Sequence, residues 1–313
     1  LRDLEEITRR AASPNREAAK GDLDRVRRMV AVLPSEWRTG KMLYTLGAAF
    51  GELGEFEEAI GYYQAAIRAP GTDEEVPFRT IEQLANLQAR YADELHRRAH
   101  AGAELGSAVQ AADREETRSS GLLEEAIANL RGLLVIADTP QRLALTGSFY
   151  KRLAATLHGD ARQDALKHAA SFYGKAHKMQ RDLSLKLDPY YTLNWLTFRI
   201  LEASGITASE RKEILDLVGQ SLRAAPEKAL REPDFWARVT LPDAVLVRAL
   251  VEEALERRKA EIIGLYGDAF RLGASPRELD TVTQHVSFLA EMYEWKGRLE
   301  IAAALRDIHT ALT

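Results

Sequence analysis

The sequence predicts an all-α protein assembled from paired helices. Three observations predict it. Ala, Leu, Glu and Arg dominate the 313 residues, and all four are good helix formers. Runs of β-branched residues are nearly absent; LLVIAD at 133–138 is the longest candidate, and it continues a helical pattern. Small and large residues alternate at helical spacing through LYTLGAAFGELGEFEEAIGYYQAAI, residues 43–67. There Leu43, Leu46, Gly47 and Phe50 are followed by Gly54, Phe56, Ala59, Tyr63 and Ala66, with Pro70 behind. This alternation suits the contact line of two antiparallel helices. Gly47 and Ala59 let two backbones approach, and Phe50 and Tyr63 fill the space beside them.

The elements follow in order. LRDLEEITRRAA (1–12) reads as an amphipathic helix broken at Ser13-Pro14-Asn15, and Pro14 suits a first helical position. A second helix spans about 14–32, with Leu23, Val26, Met29 and Val30 on one face. Pro34 and Ser35 stop it. Helices at about 36–52 and 55–69 carry the motif above and turn at Gly51 and Gly54; Pro70-Gly71-Thr72-Asp73 is a loop. The next helix covers about 76–99, with Ile81, Leu84, Ala85, Tyr91, Ala92 and Leu95 in one stripe. Residues 101–120 are small and polar and read as a long, partly mobile insertion. A helix at about 121–137 ends at Asp138-Thr139-Pro140. Residues 141–157 and 161–179 pair next: Gly147 and Tyr150 repeat Gly47 and Phe50, and Ala169, Tyr173 and Ala176 repeat Ala59, Tyr63 and Ala66. Asp188-Pro189 opens YYTLNWLTFRILEA, paired with about 208–224. Longer helices follow at about 233–239, 243–272, 276–294 and 297–311, with Pro242 and Pro276 marking starts and Gly273 and Gly297 marking turns. The predicted organisation is helical repeats over 1–225, with the insertion near 101–120, and a C-terminal capping bundle over 226–313.

Composition excludes several functions. With 43 basic and 47 acidic residues the net charge is −4, which gives no push toward nucleic acid or an anionic membrane. No apolar run reaches the roughly 18 residues of a membrane span, and no signal peptide is evident. There is no Cys, so thiolate metal sites, disulfides and a cysteine nucleophile are ruled out within the chain. A cytoplasmic location is the expectation. The chain begins at Leu1 without Met, which suggests a piece of a larger protein.

The stretch 43–70 resembles one tetratricopeptide repeat, whose pattern places an aromatic, Leu-Gly, Tyr, Ala, an aromatic, Ala and Pro at nearly these offsets. Leu43 stands for the first aromatic and Phe50 for Tyr, and Pro70 comes one residue early. Taking the small residue after the first Leu as a mark, units stand at Gly47, Ala85, Gly147 and Asn194, steps of 38, 62 and 47. The standard step is about 34, so insertions account for the excess. The resemblance implies a right-handed α-solenoid with a C-terminal helical cap. Four blocks, GELGEFEEAIGYYQAAI (51–67), VPFRTIEQLANLQARYA (76–92), LTGSFYKRLA (145–154) and DPYYTLNWL (188–196), together resemble the divergent tetratricopeptide segment found beside CHAT-type caspase-like proteases and other effector domains in bacterial proteins. The chain is also similar to helical regions called TRAF-binding in some kinases. Such segments are scaffolds or sensors, and another domain performs catalysis.

Few constellations point to chemistry. His96 and His100 share a helix face as a two-ligand clamp would, but no third ligand is evident and Arg97-Arg98 would oppose a cation. Gly47, Gly51 and Gly54 follow no strand and do not make a phosphate loop. Glu253 precedes Arg257 by four, the spacing of a salt-bridge-laced helix. No cofactor, metal or catalytic group is expected. In a tetratricopeptide array the first helix of each pair lines a concave groove. That register implies a partner-binding surface of Tyr44, Arg79, Asn86, Arg90, Lys151, Arg152, Tyr191, Trp195 and Arg199. Guanidinium and amide groups grip carboxylates, phosphates or peptide backbone, and aromatics give rigid contact area. The expected function is a non-catalytic module binding a peptide or partner protein and coupling it to an attached effector. A receptor for a small anionic ligand such as a nucleotide signal and an oligomerisation scaffold are the alternatives. Partners are expected to be proteins, a homo-oligomer included, with neither nucleic acid nor membrane.

Overall fold

A computed structural model describes residues 6, 9, 16–32, 34, 38–69, 75–104, 109–184, 187–203, 205–231 and 234–313. Among the described residues the regular structure is all helix, in thirteen segments. The chain divides into two compact units, residues 1–138 and 139–313. The expected helix at 1–12 (Glu6 and Arg9 apart), the break at 13–15 and the loop at 70–73 lie outside the described residues.

The first unit holds α1 (Arg16–Val32), α2 (Gly40–Leu53), α3 (Phe56–Arg68), α4 (Glu75–Glu104) and α5 (Val109–Ile136). Thr39 starts α2: its backbone is extended and its hydroxyl accepts from the Met42 N–H at 3.3 Å. Gly54, at φ 83°, ends α2 and reverses the chain into α3. The seam between α2 and α3 is as the alternating pattern predicts. Gly47, Ala59 and Tyr63 are buried. A Cβ on Gly47 would lie 3.0 Å from the Tyr63 ring, so only the absent side chain lets that ring lie against the helix. The core joins Leu23 and Val30 of α1 to Leu46, Phe50 and Leu53 of α2, Tyr63 of α3, and Leu84 and Leu87 of α4.

The second unit holds α6 (Pro140–Thr156), α7 (Gly159–Ser184), α8 (Pro189–Glu202), α9 (Ala208–Arg231), α10 (Phe235–Val251), α11 (Leu255–Arg271), α12 (Pro276–Trp295) and α13 (Leu299–Leu312). Thr139 and Asp188 cap α6 and α8, each with Pro in the first turn, and Ser275 with Glu278 forms a full capping box on α12. The α6–α7 seam repeats the first: a Cβ on Gly147 would lie 2.9 Å from the Tyr173 ring. Leu193, Leu196 and Ile200 of α8 share one core with Ile214, Leu217 and Val218 of α9 and Ala244, Val247 and Val251 of α10. The expected boundary at 225–226 falls inside α9.

Three expectations need correction. Residues 109–120 are helical rather than a mobile insertion, because α4 and α5 run to 30 and 28 residues and pair along their length. The 62-residue step is thus largely helix extension. Pro242 does not start a helix; it lies inside α10, which begins at Phe235 behind an Asp234 cap. Burial on nearly every face of α10 outweighs the hydrogen bond that proline removes. The break comes at 252–254, where Glu253 takes φ 53°. Glu253 therefore pairs with Arg211 and Arg298, at 3.8 and 3.6 Å, and is not the i−4 helical partner of Arg257. The lacing on α11 runs from Lys259 to Glu256 and from Arg258 to Glu261.

Candidate binding surface

In the first unit the predicted groove residues form two groups. Tyr44, half-buried on α2, meets Tyr63 edge-on with ring centroids 5.5 Å apart. Arg79, exposed on α4, places its guanidinium 5.9 Å from the Tyr44 ring. Burial pushes the Tyr63 phenol far up its scale, with the neighbouring Tyr44 and Glu52 adding to the shift and Arg90 and Arg79 opposing it. The second group centres on Arg90. It donates to the Gly51 carbonyl at 3.1 Å, pairs with Glu52 at 3.6 Å and lies 5.6 Å over the Phe56 ring. Gly51 sits in the last turn of α2, where its carbonyl also accepts from the Gly54 N–H at 3.3 Å and the helix end favours a cation. Arg90 therefore ties α4 to the end of α2. Asn86 is half-buried between these groups in sequence.

In the second unit Arg152 donates to Ser148 Oγ at 2.7 Å, one turn back on α6. Burial raises the pKa of both Tyr173 and Tyr190; the charge on Arg152 opposes both shifts, and a hydrogen bond with Ser148 also lowers that of Tyr173. Ser148, Arg152, Tyr173 and Tyr190 thus come together from α6, α7 and α8. Tyr191, predicted to face a groove, is core at 6% exposure, whereas Tyr190 is 44% exposed. The Asp188 cap, which accepts from the Tyr190 N–H at 2.9 Å, fixes the phase of α8 one residue away from the expected register. The Tyr191 phenol is raised to about 12, by burial first and by Asp188 next. Asp-Pro before two tyrosines is the signal that could have set this phase.

Trp195 and Arg199 occupy a third place. Trp195 stacks on His177 at 4.7 Å, and a Cβ on Gly174 would lie 3.0 Å from its indole nitrogen. His177 also lies 3.0 Å from the Thr192 hydroxyl, and burial lowers its pKa, with Arg181 adding to the effect. Arg199 lies 5.5 Å over the Trp195 ring and pairs with Glu213 of α9 at 3.0 Å. These two residues are the α7–α8–α9 joint.

Lys151 meets a helix that the repeat register does not foresee. Its Nζ is 3.0 Å from Nδ1 of His285 on α12 and 5.3 Å over the ring of Phe288. Lysine has only donors, so His285 accepts through an unprotonated Nδ1. Burial holds the His285 pKa well below its ordinary value, and the Lys151 charge lowers it further. Phe288 also packs against Phe198 of α8, centroids 6.0 Å apart. At the far end of α12, Trp295 lies under Arg162, and Lys296 donates to the Glu202 and Ala203 carbonyls at 3.2 and 3.4 Å. Beside Lys151, Asp243 of α10 accepts from the Tyr266 hydroxyl at 2.5 Å; burial lifts its pKa to about 6 against the pull of Tyr266 and Lys151.

His96 and His100 stack with rings 4.2 Å apart, and His96 Nδ1 is 3.9 Å from Glu116. Among the described residues no three His, Asp or Glu side chains converge as metal ligands. Nor is any helix among them long and apolar enough to cross a membrane.

Residues 55–199 match the family described as Tetratricopeptide Repeats-Sensor. That stretch is a tetratricopeptide-like region. It begins at the turn before α3 and ends at Arg199, so it takes in both glycine–tyrosine partners, Tyr63 and Tyr173, together with Arg90, Arg152 and Trp195. Repeats of this type generally mediate protein–protein interaction and are generally non-catalytic. A search of curated proteins found no match to the chain.

Proposed function

We propose that this chain is a non-catalytic interaction and sensor module. It captures a peptide or partner protein through its tetratricopeptide-like hairpins and passes the event to an attached effector domain, a caspase-like protease by the resemblance of its four sequence blocks. The observation that carries this reading is the meeting of Ser148, Arg152 and Tyr190 on α6 and α8. A guanidinium, a hydroxyl and a tyrosine whose ring is partly exposed, on rigid helices, suit a carboxylate or a peptide backbone. The same groups suit a small phosphate-bearing ligand, which is the second reading.

The test is capture by the immobilised chain from a lysate of its source, wild type against Arg152→Glu, with helicity followed by circular dichroism. Capture of a specific protein that is lost in the variant at unchanged helicity is the expected result. Equal capture by both proteins would overturn the peptide surface. A thermal shift with nucleotides and none with captured peptides would select the second reading. Arg152 is the better probe than Arg90, because reversing Arg90 would also cut the tie between α2 and α4.

A further inference from the structure

The surface of α6 and α8 that carries Lys151 and Phe198 already has an occupant, and it belongs to the same chain. Helix α12 is buried on two sides. Val282, Val286, Leu289 and Tyr293 follow one stripe, and Phe288 and Met292 follow another. The second stripe, with His285 beside it, meets Lys151 and Phe198. Among the described residues α12 meets α6–α8 through discrete ties that include the lysine–histidine hydrogen bond, the ring beneath that lysine, an aromatic pair, Arg162 of α7 over Trp295, and Lys296 over the end of α8. By contrast α12 pairs with α13 along its length. Helix α13 packs on α11, with Lys259 paired to Asp307 and Arg298 to Glu253, so the hairpin leaves α6–α8 by swinging on α11.

We propose that the α12–α13 hairpin is a built-in, displaceable occupant of the α6–α8 face, latched by the Lys151–His285 hydrogen bond, so that mild acid or a competing partner releases it without unfolding α6–α8. The proposal rests on the capture reading only for the identity of the competitor; the release itself needs no partner. The acid response follows from the chemistry of the latch. Protonating His285 removes the acceptor and sets an imidazolium against an ammonium. The other charged groups that bear on this place are Asp243, which attracts Lys151 from α10 and holds the Tyr266 hydroxyl of α11, and, further along α12, Glu291 acting on Arg162. Asp243 attracts Lys151, but Lys151 still loses its imidazole acceptor when the ring takes a proton.

Hydrogen exchange read by mass spectrometry on the full chain tests this, at about pH 7.5 and about pH 5.5, after correction for the intrinsic pH dependence of exchange. The expected result is α12–α13 opening up to about tenfold more at the lower pH, the ceiling that one proton gives over the single unit between an unfolded pKa of about 6.5 and pH about 5.5, with α6–α8 unchanged. His285→Gln keeps an acceptor for Lys151 and cannot take a proton, and its α12–α13 exchange is expected to be flat between the two pH values. Phe288→Ala is expected to raise α12–α13 exchange at both. Wild-type exchange in which α12 and α6–α8 open together, or in which α12 does not respond to pH, would overturn the proposal. A pH response that survives in His285→Gln would remove the latch from it. These results stand whether or not the Arg152→Glu variant loses its captured protein.

Discussion

Single side chains do unequal work in these seams, and the glycines show it most directly. Gly47→Ala and Gly147→Ala would each place a methyl about 3.0 and 2.9 Å from the Tyr63 and Tyr173 rings, respectively. The rings lie in packed seams, so the overpacking cost of roughly 1–3 kcal/mol outweighs the gain in helix propensity of about 1 kcal/mol. Gly264 in α11 has nothing within 4 Å of a built Cβ, and there the propensity term stands alone. Urea denaturation is expected to place Gly264→Ala above wild type and Gly147→Ala below it; the opposite order would mean that Tyr173 yields freely. Two arginines with the same predicted role part in the same way. Arg79→Ala, an exposed cation over a ring, should change stability by less than about 0.5 kcal/mol. Arg90→Met should cost about 1 kcal/mol, because the hydrogen bond to the Gly51 carbonyl, which keeps the Gly54 N–H, and the pairing with Glu52 are lost. Thermal denaturation of the two variants separates them, and equal midpoints would show Arg90 to be dispensable.

Helices bring together titrating groups whose effects on stability oppose each other. The folded pKa of His285 lies below the unfolded value of about 6.5, so its contribution is complete above that pH and is lost as pH falls from there toward the folded pKa. His177 acts in the same sense. Asp243, raised to about 6 in the fold, acts in the other sense: the folded protein holds its proton more tightly, so stability falls as pH rises from the unfolded value of about 3.9 to about 6. Denaturation followed across pH 4 to pH 8 should therefore show a shallow response near about pH 5–6. Asp243→Asn should steepen the histidine-driven rise by removing the opposing slope, and His285→Gln should flatten it. A wild-type slope unaffected by either substitution would show that neither group is linked to folding. At this scale the sequence was only partly legible. The paired seams could be read because Gly47 with Tyr63 and Gly147 with Tyr173 recur within one hairpin's reach. Residues 109–120 were opaque, since small polar residues form helix only against a partner, which α4 provides. Pro242 and Glu253 misled because packing around α10 overrode the local breaker and moved the turn to a place without glycine.

The molecule as a whole joins residues that no spacing rule connects. Lys151 and His285 are 134 positions apart, so the repeat register could place Lys151 on an inner helix and could not say what covers it. The predicted surface is accordingly uneven. Arg152 stands with a tyrosine that the register missed, while Lys151, Arg90 and Arg199 each hold another helix of their own unit. The all-α class and the tetratricopeptide-like hairpins were legible because each depends on contacts between sequence neighbours; the occupant of the α6–α8 face was not, because it depends on closure over a long loop. That closure orders events during synthesis. Until the stretch beyond residue 275 has emerged, Phe198 has no Phe288 against it and Lys151 no imidazole. A nascent chain halted earlier would display an aromatic, cationic face to any chaperone at hand, and would hide it only when translation resumes.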